Sequence, residues 1–223
     1  MKNIKIIILT IVCLFTAGQL SAQAIINNDP AFKNRAYLRA GIEPATMLTL
    51  GYERKFELHS LPQNLVTYAE YGVSVAKFRN AGLKVGAVLP VFQRRNFMIV
   101  NDLNLSAGNL STKNFDSNKF AIADELAFGI YKPQWFFALT AEYEKILLTR
   151  IEHTDFYRET YYEDAVDGWY KGSGGMFQFG FETGRTFARR YDVHLEFKLP
   201  LTGQFNTYGG SPAHLNLGLG YRF

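Results

Sequence analysis

Ionisable side chains recur at every second residue in the C-terminal half of the chain. The pattern is clear at His194, Glu196 and Lys198, each of which is flanked by apolar residues. Alternate residues of a strand share one face, so acids and bases of neighbouring strands would meet there. The predicted charge network comprises Glu142, Glu182, His194, Glu196, Lys198 and Arg222. It could form an ion or proton path, but the favoured interpretation is that these charges pair to fill a closed interior.

A second set of candidate residues lies in the segment Thr149 to Gly175, which mixes acidic and aromatic side chains. Aromatic residues are enriched at protein interfaces, so one interpretation is that this segment binds an extracellular protein or glycan. The candidate binding residues are His153, Asp155, Tyr157, Tyr161, Tyr162, Asp164, Asp167 and Trp169. The acidic residues lack EF-hand spacing, and no metal site is predicted. The alternative is an ordered loop that only covers one end of the fold.

Hydrolysis is a third interpretation, because His153, Asp155 and Ser173 lie in the same segment. A serine nucleophile needs its base within hydrogen-bond distance, and the run GSGG around Ser173 is more typical of a hinge. We therefore predict that the protein is not an enzyme. The chain has no phosphate-binding glycine loop, zinc-ligand cluster or nucleic-acid motif, so neither a cofactor nor a nucleic-acid partner is predicted.

Period-two alternation extends through most of the chain and predicts an all-β fold. From Ala213 to Phe223, odd positions are apolar or aromatic, and even positions are polar or glycine. No long window shows the helical period of 3.6. The adjacent Asp124 and Glu125 break the alternation, and we predict a bulge there.

The alternating segments predict ten strands, at residues 36–43, 46–56, 65–77, 81–90, 96–108, 118–131, 134–148, 175–188, 191–202 and 213–223. Pro44 makes the first pair doubtful, so eight strands is the alternative. Short turns at 132–134 and 189–192 alternate with longer loops at 108–118, 149–175 and 203–212. This alternation is typical of membrane barrels with short periplasmic turns.

Three features predict that the apolar faces point outward. The apolar face is too large for the interior of one domain of this length, and the polar face combines charges with glycine. Aromatic residues also cluster beside the short turns, as in an interfacial girdle, at Tyr131, Trp135, Phe137, Phe187, Tyr191, Tyr221 and Phe223. In lipid, a sheet must close to satisfy its backbone. We therefore predict a transmembrane, antiparallel, up-and-down β-barrel.

The N-terminus predicts export. Lys2 and Lys5 precede a short apolar run, and small residues favour cleavage between Ala22 and Gln23. We predict a signal peptide at residues 1–22 and a barrel domain at residues 23–223. The apolar run continues past Cys13, which argues against lipidation. Without the two leader lysines the formal charge falls from +4 to about +2, with 22 basic and 20 acidic residues, too little to indicate a nucleic-acid partner.

The chain ends on NLGLGYRF, in which Asn216, Gly218, Tyr221 and Phe223 form a predicted assembly signal. This end resembles the C-terminal β-signal of bacterial outer-membrane barrels, and the mature segment is similar in size class to the OmpX and OmpA barrel families. The resemblance implies a Gram-negative outer membrane, contact with its lipid, and recognition by the barrel assembly machinery. The favoured function is a non-enzymatic envelope or surface-interaction role through residues 149–175. A narrow pore and a lipid A-modifying or peptide hydrolase are the alternatives.

Overall fold

The computed structural model describes residues 32–42, 46–57, 64–75, 80–172, 175–201 and 213–223. The predicted signal peptide, Cys13, Pro44 and Ser173 lie outside these residues. The described elements are β1 (Asn34–Ile42), β2 (Thr46–Phe56), β3 (Leu65–Ser74), β4 (Ala81–Arg94), β5 (Phe97–Ser111), β6 (Phe115–Tyr131), β7 (Trp135–His153), α1 (Asp155–Thr160), β8 (Gly168–Lys171), β9 (Gly175–Phe187), β10 (Tyr191–Pro200) and β11 (His214–Arg222). None of the helices in these residues is long and apolar enough to cross a membrane.

Ten long strands close into an antiparallel barrel. Each strand pairs with its neighbours in chain order, and β1 pairs with β11 to close the sheet. The short β8 continues the line of β9, since β7 pairs first with β8 and then with β9. The predicted up-and-down barrel of about ten strands is confirmed, and the eight-stranded alternative is wrong.

The outer wall of the barrel is apolar. Leu50 is 63% exposed and Leu219 is 59% exposed, whereas the inward-facing Arg35 and Lys198 are 4% and 5% exposed. Such a continuous apolar surface is far larger than a soluble protein exposes, and lipid is the medium that covers it favourably. The alternation therefore places apolar side chains outward and charged ones in the lumen.

The two ends of the barrel differ. At the short-turn end, three tight turns join β4 to β5, β6 to β7, and β9 to β10. Asn34 and Phe223 meet there through two backbone hydrogen bonds of 3.0 Å each. The opposite end, the loop end, carries the segment between β7 and β8. Aromatic side chains surround the short-turn end on the outside, including Trp135, Tyr191, Tyr221 and Phe223.

Three details of the predicted strands are wrong. The predicted loop 108–118 is a tight hairpin, because β5 and β6 stay paired as far as Ser111 and Asp116. Similarly, 149–153 belongs to β7, where pairing with β6 continues to satisfy the backbone. No bulge occurs at Asp124 and Glu125. Asp124 stays on the outer face, where Asn101 donates to it at 2.5 Å, and the β6–β7 irregularity lies instead at Phe120/Ala121.

Tyr131 is also misassigned to the girdle, because it faces the lumen and is 7% exposed. Its ring stacks on Phe136 at a centroid distance of 5.6 Å. An apolar cluster fills this side of the interior near the short turns. Its members are Val66, Tyr68, Val88, Met98, Val100, Ala127, Tyr131, Phe136 and Ala138.

Large inward rings lie directly on glycines of the neighbouring strand. A Cβ added to Gly51 would stand 2.2 Å from Cζ of Tyr37, and one on Gly86 would stand 2.5 Å from Cζ of Tyr68. Both are register partners in the sheet. Phe136 on Gly184 and His194 on Gly218 repeat the arrangement. We call these four ring–glycine pairs the glycine seats.

Candidate functional site

The first group of buried charges, the arginine cluster, comprises Arg35, Glu53, Asp192 and Arg222. Arg35 donates to Asp192 Oδ2 from Nε at 3.0 Å and to Glu53 Oε1 from Nη1 at 3.0 Å. Arg222 Nε lies 3.3 Å from the same Asp192 oxygen. The cluster joins β1, β2, β10 and β11 near the short turns. Two arginines and two carboxylates balance in charge, as buried ion pairs require.

A second group spans the middle of the lumen. The Tyr37 hydroxyl and Arg39 Nη2 both donate to the Glu70 carboxylate. Arg39 Nη1 also lies 3.5 Å from Glu196 Oε2, which connects β1 to β10. Arg39 thereby links β1 to β3 and to β10, neither of which pairs with β1 in the sheet.

The third group, the lysine cluster, comprises Lys198, Glu125, Glu142 and Glu196. Lys198 Nζ lies 2.6 Å from Glu142 Oε2 and 2.8 Å from Glu196 Oε1, and it also donates to Glu125. Lys198 is only 5% exposed. One ammonium therefore holds three carboxylates from three strands in the barrel interior.

The residues of the predicted charge network are thus divided between the two clusters and a separate contact of Glu182. Glu142, Glu196 and Lys198 meet in the lysine cluster, whereas Arg222 lies in the arginine cluster. His194 lies beside the arginine cluster, with Nδ1 at 3.2 Å from Arg35 Nη2. Glu182 accepts a hydrogen bond of 3.2 Å from the Tyr131 hydroxyl.

Sequence reasoning missed more than half of the network. The lumen residues outside the predicted set include Arg35, Tyr37, Arg39, Glu53, Tyr68, Glu70, Lys84, Asp102, Glu125 and Asp192. A signal for several of them was present, because Glu53, Glu70, Lys84, Asp102 and Asp192 occupy the polar positions of alternating strands. Alternation also places Tyr68 on the face of Glu70 and Tyr37 on the face of Arg35, although neither tyrosine was predicted as a member of the network.

These groups leave little free space in the lumen. The interior cavity has a volume of about 100 Å³ and is lined by residues of all three groups. A volume of this order holds only a few water molecules. The three groups of charged side chains therefore occupy much of the interior around this cavity.

At the loop end, residues Thr154–Asp167 form a compact unit that we call the outer platform. Thr154 caps α1, accepting from the Tyr157 backbone N–H at 3.3 Å, and its hydroxyl donates to the Lys113 carbonyl oxygen at 2.8 Å. The Thr154 backbone N–H donates to the Asn114 carbonyl at 3.0 Å. The platform is therefore attached to the β5–β6 hairpin as well as to β7.

Hydrogen bonds of the Asp167 side chain hold the C-terminal end of the outer platform. Its Oδ1 accepts from the His153 backbone N–H at 2.8 Å and lies 2.9 Å from His153 Nδ1. Its Oδ2 accepts from Arg158 Nη2 at 2.6 Å. The hydrogen bonds from His153 and the charge of Arg158 lower the pKa of the Asp167 carboxyl below its ordinary 3.8.

The predicted binding residues have different places in this unit. His153 and Asp167 are joined to each other, and Tyr157 packs on His153 with ring centroids 4.9 Å apart. Tyr161 and Tyr162 are 64% and 59% exposed. Asp155 and Asp164 are exposed as well.

Trp169 lies apart from the platform. It stands on β8 opposite Arg150 and packs on Phe120 of the outer wall with ring centroids 6.3 Å apart. Its position suits an aromatic girdle at the loop end better than a binding surface.

The geometry offers no support for the hydrolase alternative at the residues that the structure describes. His153 is paired with Asp167 instead of Asp155, and Ser173 lies outside these residues. No group of three or more His, Cys, Asp or Glu side chains is placed to hold a metal ion in the described segments.

The four residues of the predicted assembly signal alternate between the two faces of β11. Asn216 and Gly218 face the lumen, where Gly218 seats the His194 ring. Tyr221 and Phe223 face outward with ring centroids 6.0 Å apart, and Tyr191 packs on Tyr221 at 5.3 Å. Each residue therefore has a structural place in the barrel, and recognition during assembly stays a prediction.

Comparisons with known proteins return only distant similarity of shape. No protein-family model and no curated protein matches the chain. The chain is similar to the KdgM porin at 9% identity and a TM-score of 0.42, covering 85% of this chain and 99% of that one. It is also similar to the KdgM porin in complex with disordered oligogalacturonate, at 10% identity and a TM-score of 0.43, covering 85% of this chain and 99% of that one. A third similar structure is the outer membrane protein Omp33 of Acinetobacter baumannii, at 9% identity and a TM-score of 0.35, covering 86% of this chain and 98% of that one. Similarities this weak carry no functional argument.

Proposed function

We propose that this protein is an integral barrel of a Gram-negative outer membrane and that the outer platform binds a cationic segment of an extracellular protein. The observation that carries the proposal is a fixed platform with an exposed acidic and aromatic surface. The continuous apolar wall and the aromatic girdle support the membrane location. The predicted signal peptide and C-terminal signal would account for export and for insertion by the assembly machinery.

The charge of the platform supports a cationic partner. Arg158 is held by Asp167 and by the Ala165 carbonyl at 2.7 Å. The ion pairs found among the described residues do not involve the exposed acids Asp155, Glu159, Glu163 and Asp164. A partner that carries lysine or arginine would therefore meet a net negative surface, which favours encounter and orientation.

The exposed side chains of Tyr161, Tyr162 and Val166 would supply the apolar part of the interface. Val166 is 71% exposed, although Ala165 beside it is buried. Tyrosine rings also attract cations through their faces. The fixed backbone lowers the entropy that such a surface loses on binding.

Peptide binding to the folded full-length protein in lipid nanodiscs tests the proposal. The probe is a fluorescent decapeptide rich in lysine and arginine, with a glutamate-substituted peptide as its control. We expect salt-sensitive binding of the basic peptide alone, lost in Glu159→Gln/Glu163→Gln and weakened in Tyr161→Ser/Tyr162→Ser. The matched control is Lys171→Gln on the adjacent β8. Equal binding by all variants would contradict the proposal, provided that unboiled and boiled samples still differ in gel mobility.

A narrow pore is the second candidate, because mixed charges and a small cavity lie within the lumen. The ion pairs of Lys198 and Arg39 lie within the lumen, through which ions would have to pass, so the described conformation would be closed. We expect no discrete conductance from the unmodified protein in planar bilayers. Discrete openings at moderate voltage would favour a gated pore over the proposal of a closed barrel.

A further inference from the structure

The outside of the short-turn end carries eight basic side chains, which we call the basic ring. They are Lys33, Arg54, Arg94, Arg95, Lys132, Arg185, Arg189 and Arg190. They belong to five places around the wall: the start of β1, the end of β2, and the three tight turns with their strands. The ring therefore follows the circumference instead of forming one patch.

Several of these cations lie on the lipid-facing side. Arg54 stands between Tyr52 and Phe56, which are 43% and 38% exposed on the outer wall. Its guanidinium lies 5.2 Å from the Phe56 ring centroid. Arg185 shares the outer face with its register partner Trp135. These cations therefore point toward the surrounding lipid and not into the lumen.

Aromatic rings hold the cations at the depth of the girdle. Lys132 Nζ lies 5.1 Å from the Trp135 ring, and Arg185 lies 5.7 Å from the Phe187 ring. Tryptophan and tyrosine girdles mark the level of lipid headgroups. The ring thus lies where headgroup phosphates lie, and where a lipid-facing cation costs little.

Outward-facing acidic residues are fewer than the cations of the ring in the part of this end that the structure describes. In the described part of this end, the outward-facing acid is Glu57, which lies 3.8 Å from Lys33. The nearby acids Glu53 and Asp192 are turned inward to the arginine cluster. The outward side of this end therefore carries an excess of positive over negative charge among the described residues, and such an excess attracts anions.

We propose that the basic ring binds the phosphates of anionic glycerophospholipids in the leaflet at the short-turn end. This inference relies on the proposed function only in placing the barrel in a membrane. Lipid is favoured over an acidic protein because the cations surround the wall, face sideways and lie level with the girdle, whereas a protein partner contacts one patch. Basic side chains near an anionic membrane surface each contribute about 1 kcal/mol, equivalent to roughly fivefold enrichment.

The two tryptophans allow a direct test, because Trp135 lies at the ring and Trp169 lies near the opposite end. Each is isolated by replacing the other with phenylalanine in the full-length protein. The variants are reconstituted into phosphatidylcholine vesicles in which a fixed fraction of lipid is brominated, as either phosphatidylglycerol or phosphatidylcholine. Bromine on the acyl chains quenches nearby tryptophan, so excess quenching by the anionic lipid measures its local enrichment.

We expect excess quenching of Trp135 by brominated phosphatidylglycerol, weaker at high salt, with a smaller excess at Trp169. Arg54→Gln/Arg185→Gln/Arg190→Gln should remove the excess at Trp135, whereas Lys145→Gln/Lys171→Gln at the loop end should retain it. Equal quenching of Trp135 by both brominated lipids at low salt would overturn the proposal and leave an acidic soluble partner as the alternative. No quenching by either lipid would instead contradict the membrane location, and loss of peptide binding to the platform would not affect this result.

Discussion

Replacing Lys198 with methionine should cause one of the largest single-residue losses of stability in this barrel. The substitution keeps an unbranched side chain that is one atom shorter, but it removes the charge that holds Glu125, Glu142 and Glu196. All four side chains are at least 83% buried, with side-chain exposures of 6%, 13%, 10% and 17%. The three carboxylates would then repel one another in a confined space.

The magnitude follows from the contacts. Opposite charges about 3 Å apart attract by roughly 5 kcal/mol at an effective dielectric constant near 20. Three such contacts are offset by desolvation of several kcal/mol for each ion and by repulsion among the carboxylates. Removing one partner of a buried ion network typically costs about 3–5 kcal/mol. We therefore expect Lys198→Met to lower the free energy of unfolding by about that amount.

Reversible urea unfolding of the lipid-folded protein, followed by tryptophan fluorescence, measures this loss. Glu125→Gln/Glu142→Gln in the Lys198→Met background should recover most of it, because the remaining negative charge is then small. Lys171→Met, an exposed lysine on β8, is the matched control and should change stability by less than about 0.5 kcal/mol. A loss as small as that of the control, or no recovery in the glutamine background, would refute the reasoning.

Three further outcomes can be measured. Gly51→Val should lower the urea midpoint by an amount equivalent to about 1–3 kcal/mol, because the valine side chain would overlap the Tyr37 ring that packs on Gly51. Hydrogen bonds from His153 depress the pKa of Asp167, so its contribution to platform order is present above pH 3.8 and lost as pH falls through the lowered pKa. Pepsin cleavage of the platform should therefore increase sharply at the acid end. Asp167→Asn should increase trypsin cleavage after Arg158 at neutral pH, because it removes the charge that holds Arg158. Tyr221→Ser/Phe223→Ser should reduce assembled barrel in cells without abolishing refolding in detergent, as heat-modifiable gel mobility would report.

The fold could be predicted because alternation is a local property of the sequence. In the segment from Ala213 to Phe223, the alternation predicts which side chains face outward and which face the lumen. Nine similar segments predict the other strands of the barrel. Strand ends were less predictable, because Ser117 and Ile151 remain paired beyond the predicted limits of their strands. Backbone hydrogen bonds between strands do not require apolar alternation. The alternation in the sequence therefore ends before the paired part of each strand does.

The candidate site could be predicted only in part, for a geometric reason. Alternation places Glu53 and Asp192 on the polar faces of their strands, yet it does not say that Arg35 joins them. Which inward side chains touch depends on the tilt and stagger of the closed sheet. Lys198 and Glu125 meet although β9 and β7 separate their strands in the sheet. Contacts through the lumen therefore require the three-dimensional structure.

The glycine seats bear on how the barrel finds one alignment among many. A slip of one residue between neighbouring strands exchanges their faces and is rejected by the apolar pattern, but a slip of two residues leaves every face correct. At the seam of β1 and β2, such a slip would move the Tyr37 ring from Gly51 onto Thr49 or Glu53, where a Cβ occupies the space. Three seams carry this steric test in both directions, whereas at the seam of β10 and β11 one of the two slips would place His194 opposite Gly220. The inward rings therefore disfavour most of the two-residue displacements that the apolar alternation alone would tolerate, and they help to define a single alignment of the strands.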